Sequence, residues 1–242
     1  MPAVLVHGVP DTSRIWEPVL PHLGREDVLT PSLPGFGCPR PDGFDATKES
    51  YLGWLVSELE AAGEPVDLVG HDWGALLTLR LVCVRPDLVR TWAAASAVLS
   101  PHGNWHGVAK IWQTPIEGEA FMKMWAALPE AAAVEMMVAA GVPEEHARTQ
   151  FSDIDDRMLS SVLDLYRSAE RVFEEWSEDM ASVTRPGLLL AGAADPVMKL
   201  SLAQAESERI DVPIEVFEGG HWFPLEDPQG FADTLQEHWA RV

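Results

Sequence analysis

Gly70-His71-Asp72-Trp73-Gly74 is the stretch that decides how the rest of the chain is read. It lies where an apolar run, Val66-Asp67-Leu68-Val69, gives way to a helical one, Ala75-Leu76-Leu77-Thr78-Leu79-Arg80-Leu81-Val82. A G-x-nucleophile-x-G pentapeptide between strand and helix forms a sharp elbow. Its two glycines permit a turn too tight for a Cβ, so the central side chain stands above the sheet. Here that side chain is a carboxylate rather than a serine hydroxyl, and the reaction class changes with it.

A serine at such an elbow attacks an acyl carbon. An aspartate, with a free pKa of ~3.9, is ionised at neutral pH and needs no base to become a nucleophile. Carboxylates suit displacement at saturated carbon, where a halide or an epoxide oxygen departs and an alkyl ester of the enzyme remains. A base must then activate water against the aspartyl carbonyl. The oxyanion of that step forms on Asp72 itself, so donors must be aimed there. The backbone N–H of Trp73, at the positive end of the helix, is one. The competing reading of Asp72 is a helix N-cap, a common use of aspartate.

Three further features weigh against a simple cap. Upstream, Pro2-Ala3-Val4-Leu5-Val6 reads as a buried strand running into His7-Gly8-Val9-Pro10, where the Val9 N–H is the second oxyanion donor. His7 and Gly8 serve equally as the shapers of a tight turn. Downstream, Gly187-Leu188-Leu189-Leu190-Ala191-Gly192 is another buried strand, followed by Asp195-Pro196. Asp195 reads either as an N-cap with Pro196 at the first helical position or as the acid that orients a histidine. After the strand Thr91–Ala95 comes Ser96, not a carboxylate, which favours Asp195. Last, His221 follows Glu215-Val216-Phe217 and Gly219-Gly220. An imidazole with a pKa near ~6.5 takes a proton from water and returns it near neutral pH. His22, His102, His146 and His238 have no such context and read as solvated.

With these residues in place, the chain resembles the aspartate-nucleophile branch of the α/β-hydrolase superfamily, the epoxide hydrolases and haloalkane dehalogenases. The markers are HGVP at 7–10, PGFG at 34–37, GHDWGA at 70–75, AGAADPV at 191–197 and GGHWFPLEDP at 219–228, so the likeness spans nearly the whole chain. It implies the triad Asp72, Asp195 and His221, and is less specific for the leaving group. Epoxide hydrolases protonate the opening oxygen with lid residues, usually two tyrosines. Tyr166 lies in the segment read as a lid, but Tyr51 falls in the helix before the elbow strand, so the pair is incomplete. His106 is a stand-in donor; alternatively it is a loop residue near the lid hinge, and Tyr166 a member of a lid-helix core with Val162, Leu163 and Leu165. Dehalogenases cradle halide with a Trp after the nucleophile, here Trp73, and a second Trp or an Asn. Val9 removes the Asn option, while Trp105, Trp112 and Trp222 are further candidates to touch substrate. Opening of a small apolar epoxide leads. Dehalogenation follows, then an esterase or a non-catalytic small-molecule receptor, which a broken triad would have favoured.

The chain has 242 residues, enough for one large core with an insertion. Its hydrophobic fraction of 47% is that of an ordinary globular chain. A net charge of −21, from 38 acidic against 17 basic residues, argues against nucleic acid or anionic membrane as partners. The expected partner is a small-molecule substrate, with the chain a monomer or homodimer. Cys38 and Cys83 show neither disulfide nor metal spacing, and His102 with His106 lacks the carboxylates of a metal site, so no cofactor or metal is expected. With the first strand starting near Met1, no signal peptide is expected, and cytoplasmic residence is the default expectation.

Strands are expected at 3–7, 27–32, 66–70, 91–95, 187–192 and 213–217, separated by helices such as 47–62 and 73–85. That alternation predicts an α/β class chain with a mostly parallel, doubly wound sheet. Residues 97–183 break it with helical runs at 117–127, 130–140, 144–150 and 155–176, and read as an inserted helical lid on a core of 1–96 and 184–242. Met136 and Met137 read as the lid's own core. The resembled family usually has two more strands before the His7-Gly8 strand, so an exposed sheet edge or an alternative start is expected.

Overall fold

The computed structural model describes residues 1–242. In chain order the elements are β1 (Ala3–Val6), β2 (Val28–Leu29), α1 (Lys48–Ala61), β3 (Val66–His71), α2 (Trp73–Val84) and β4 (Val89–Ala95). Six helices follow with no strand among them: α3 (Gly107–Gln113), α4 (Glu117–Ala126), α5 (Glu130–Ala139), α6 (Glu144–Asp153), α7 (Asp156–Ser168) and α8 (Val172–Trp176). The chain closes with β5 (Gly187–Gly192), α9 (Leu200–Ile210), β6 (Ile214–Phe217), α10 (Phe223–Glu226) and α11 (Pro228–Ala240).

The strands form one sheet in the order β2-β1-β3-β4-β5-β6, every neighbour parallel. Alternate side chains of a strand face opposite layers. On β1, Val4 and Val6 enter the larger core cluster with Leu76, Leu77 and Leu79 of α2, whereas Ala3 and Leu5 enter a second cluster with Phe231 and Leu235 of α11. Helices therefore cover both faces, as the apolar strand runs require. The order reverses between β1 and β3, and a crevice opens there at the carboxyl ends of the strands. His7-Gly8-Val9 follows β1 and Asp72 follows β3, so the two flank that crevice.

Several expected boundaries shift. The strand expected at 27–32 pairs only through Val28 and Leu29. The helix expected at 155–176 is two helices. Around the break, carbonyls also accept from distant donors, Gln113 Nε2 on Tyr166 O, Lys48 Nζ on Ser168 O and Trp105 Nε1 on Ala169 O, while Tyr166 O and Ala169 O accept from amides only three residues on. α3 was not anticipated; His106 caps it by accepting from the Ala109 amide. Met136 is 43% exposed rather than core, while Met137 is buried beside Val134 and Val142. His146 and His238 are buried, against the expectation that they are solvated, whereas His22 and His102 are exposed.

The helical insert is tied to the β1 side of the sheet. His146 on α6 meets both carboxylate oxygens of Asp11 at 3.0 and 3.1 Å. Asp153 accepts from Thr12 Oγ1 and from Arg14. No helix is long and apolar enough to cross a membrane.

Candidate active site

The elbow is as tight as its glycines suggest. A Cβ on Gly70 would overlap the Gly74 carbonyl, and one on Gly74 would overlap the carbonyl of Val6. Asp72 takes φ +53° and ψ −118°, a conformation L-residues rarely adopt, at a cost of about 1–3 kcal/mol. Its amide donates to Ala95 O at 3.0 Å, and its side chain makes no capping bond to the helix. The simple N-cap reading of Asp72 therefore fails. The carboxylate is instead turned toward β1, where the Val9 N–H donates to Oδ1 at 2.8 Å. The Trp73 amide opens α2 and has no intrahelical acceptor.

His7 explains how the Val9 amide is aimed. Its Nδ1–H donates to Gly8 O at 2.8 Å and its Nε2 accepts from the Leu33 amide at 2.9 Å. Both ring nitrogens are thus used, one within the turn and one on the loop after β2. Burial lowers the His7 pKa, which keeps the ring in this neutral tautomer. Tyr51, remote from the elbow, donates to Pro34 O and steadies the PGFG loop.

Asp72, Asp195 and His221 converge from the ends of β3, β5 and β6. His221 Nδ1 lies 2.9 Å from Asp195 Oδ2, and its Nε2 lies 3.5 Å from Asp72 Oδ2. Asp195 Oδ1 accepts from the amides of Val197 and Met198 at 2.7 and 2.9 Å, so it both caps the following turn and pairs with the imidazole. The His221 carbonyl accepts from Ser96 Oγ and from His71 Nε2, each at 2.9 Å. Neither role was foreseen; a serine ending β4 and a histidine beside the elbow carry no signal of a partner at the far end of the chain.

Burial would lower the His221 pKa, but Asp195 and Asp72 overcome it and push it up to about 10. Burial would likewise raise the Asp72 carboxyl, yet contact with His221, its charge and the Val9 amide hold it below its ordinary value. An imidazolium shared between two carboxylates results. His71 is lowered to about 4, by burial first and then by the neighbouring His221 charge, and stays neutral.

Two chambers meet at Asp72. One, of about 60 Å³, is lined by Asp72, Trp105, His106, Tyr166, Val98 and Met198 among others. The second, about 10 Å³, is lined by Asp72, His221, His71, Val9, Gln150 and Trp222. Burial, and then the Asp72 charge, raise the Tyr166 phenol well above its ordinary pKa, so it is a neutral donor. Burial lowers His106, whose Nδ1 accepts from the α3 amide, leaving Nε2–H as its donor.

The tryptophans separate. Trp105 lines the first chamber, but its Nε1 is spent on Ala169 O. Trp222 lines the second. Trp73 lines neither: it is fully buried, stacked on Trp105 and edge-on to Tyr166, with Nε1 unpartnered. Trp112 packs 4.8 Å from the Tyr166 ring and lines a separate apolar cavity of about 220 Å³. The expectation that Trp73 and Trp112 line the space at Asp72 is corrected; both form the packing behind Tyr166.

Comparison with known proteins agrees with this architecture. The chain is 25% identical to epoxide hydrolase A of Mycobacterium tuberculosis, over 97% of this chain and 88% of that protein. It is 22% identical to (E)-2-((N-methylformamido)methylene)succinate hydrolase of Acinetobacter baylyi, over 97% of this chain and 89% of that one. Haloalkane dehalogenase DbeA from Bradyrhizobium elkani superposes with a TM-score of 0.76 at 21% identity, covering 100% of this chain and 92% of that one. The model of the alpha/beta hydrolase family matches residues 3–234, in keeping with the parallel sheet, the elbow and the strand-end residues, and the chain belongs to that family.

Proposed function

We propose that this chain is a hydrolase that carries its substrate as an alkyl ester of Asp72, and that the substrate is a small apolar epoxide opened to a diol. The observation that carries the reading is the placement of proton donors and base on opposite sides of one carboxylate. Tyr166 and His106 share the larger chamber with Asp72, while His221 shares the smaller.

Val9 already holds Oδ1, so Oδ2 attacks the epoxide carbon as the C–O bond breaks. The departing oxygen takes a proton from Tyr166 or from His106 Nε2–H. The ester carbonyl oxygen is then Oδ1, resting on the Val9 amide where the next oxyanion forms. Esterification removes one of the two negative charges beside His221. Its hold on the proton weakens, that proton leaves to solvent, and the neutral ring is a base once there is an ester to hydrolyse. Water gives a proton to His221 Nε2 and its oxygen adds to Cγ of Asp72. Collapse expels the diol oxygen, which takes the proton back, the new acid on Asp72 returns its proton to the donor, and His221 regains from solvent the proton it released.

Dehalogenation by the same carboxylate is the second reading, to which the fold likeness to a haloalkane dehalogenase points, although the Trp73 indole lies behind Tyr166 and lines neither chamber. A halide needs more than one donor, however, and Trp105 Nε1 is engaged while Val9 offers no side-chain donor. An epoxide and haloalkane panel scored for diol and halide separates the two. Asp72→Asn abolishes multiple turnover, and His221→Gln accumulates a species one substrate mass heavier by intact mass spectrometry. If no epoxide or haloalkane leaves an adduct on the His221 variant, the reading is wrong.

A further inference from the structure

Gln150 is a buried polar residue with nothing to bind. It sits on α6, in the middle of the helical insert, and is 3% exposed, yet its Nε2 has no hydrogen-bond partner. A buried amide left unpaired is expensive and calls for an explanation. The residue lines the small chamber beside Asp72 and His221. His71 lines the same chamber, and its Nδ1 is also unpartnered. With Nε2–H donating to the His221 carbonyl, that Nδ1 is an acceptor. The other polar groups there are engaged: the Val9 amide on Asp72, and the Asp11 carboxylate on the Thr12 amide and His146.

The chamber, at about 10 Å³, has the room of a single water. A buried water takes two to four partners. This one finds a donor in Gln150 Nε2, an acceptor in His71 Nδ1 and a second acceptor in His221 Nε2 once that ring is neutral. The apolar cavity behind Gln150 and Trp222 offers no acceptor for that amide: its other lining side chains are apolar or indoles, and an indole N–H, such as the unpartnered one of Trp112, only donates.

We infer that Gln150 is a positioning residue for the hydrolytic half of the reaction, holding the water that His221 deprotonates at the carbonyl of the Asp72 ester. The inference rests on the alkyl-ester reading and adds to it a lid residue with no part in alkylation. Gln150 donates to a water lone pair, the proton moves to His221, and the oxygen bonds to Cγ of Asp72; no other atom changes hands.

Gln150→Met keeps the volume and removes the donor. With propylene oxide as probe, rapid quench and intact mass report ester formation and ester decay separately. Ester decay slows about tenfold while ester formation stays within about twofold, so the adduct accumulates at steady state. Equal slowing of both steps, or no slowing of either, overturns the inference. Gln150→Ala is the second variant should the Met form fail to fold. His221→Gln with propylene oxide and with bromoethane runs alongside. An adduct there with none on the Gln150 variants sinks this inference alone; no adduct anywhere sinks the alkyl-ester reading and this with it.

Discussion

His221 lies 2.9 Å from one carboxylate and 3.5 Å from another, and their combined charge outweighs its burial. A histidine raised to about 10 in the folded state adds stability that is fully present below its unfolded value of ~6.5 and is lost as pH rises through about 10. Asp72, held below its ordinary value, adds stability present above ~3.9 and lost as pH falls further. Resistance of the wild type to urea unfolding should therefore fall between about pH 6.5 and 10, and His221→Gln should lack that slope. The residues of this cluster were legible because each ends a strand with a local marker: the elbow glycines, Asp195-Pro196, Gly219-Gly220. His146 and Gln150 were not. They sit on a helix with a polar sequence, and what buries them is Asp11 and the loop after β1, 135 or more positions away. A partner at that separation leaves no periodicity to read.

Among the elements, β3 carries a second buried carboxylate that its apolar pattern obscured. Asp67 is fully buried; Arg90 reaches it at 2.6 and 2.7 Å, Arg25 at 3.0 Å and Thr91 Oγ1 at 2.8 Å. It fastens β3 to β4 and to the segment before β2, at the end of the sheet away from Asp72. Removing one partner of a buried pair strands the others, so Asp67→Ala should cost about 3–5 kcal/mol in equilibrium unfolding. The alternation of strands and helices was readable because the parallel strands are buried on both faces and appear as short apolar runs. The division of α7 from α8 was not, because Trp105, Gln113 and Lys48, distant in sequence, donate to carbonyls around the break. The break is set by tertiary donors, and local propensity is silent about those.

For the molecule as a whole, a charge of −21 surrounds a chamber whose walls are mostly apolar. On the proposed epoxide reading, glycidate should be turned over with a lower kcat/KM than propylene oxide. The gap should narrow between low salt and ~0.15 M, where screening shortens the reach of the surface field to ~8 Å. If the ratio of the two rate constants ignores ionic strength, the acidic surface has no say in selection. The joining of two separate rooms at Asp72 has a practical consequence. Trimming Val98 or Met198 widens the space for carbon without touching any wall of the compartment that faces His221. On the proposed alkyl-ester reading, appetite for bulkier reactants and the speed of resetting the enzyme should be independent dials, one of which a lineage built on this scaffold could turn while leaving the other alone.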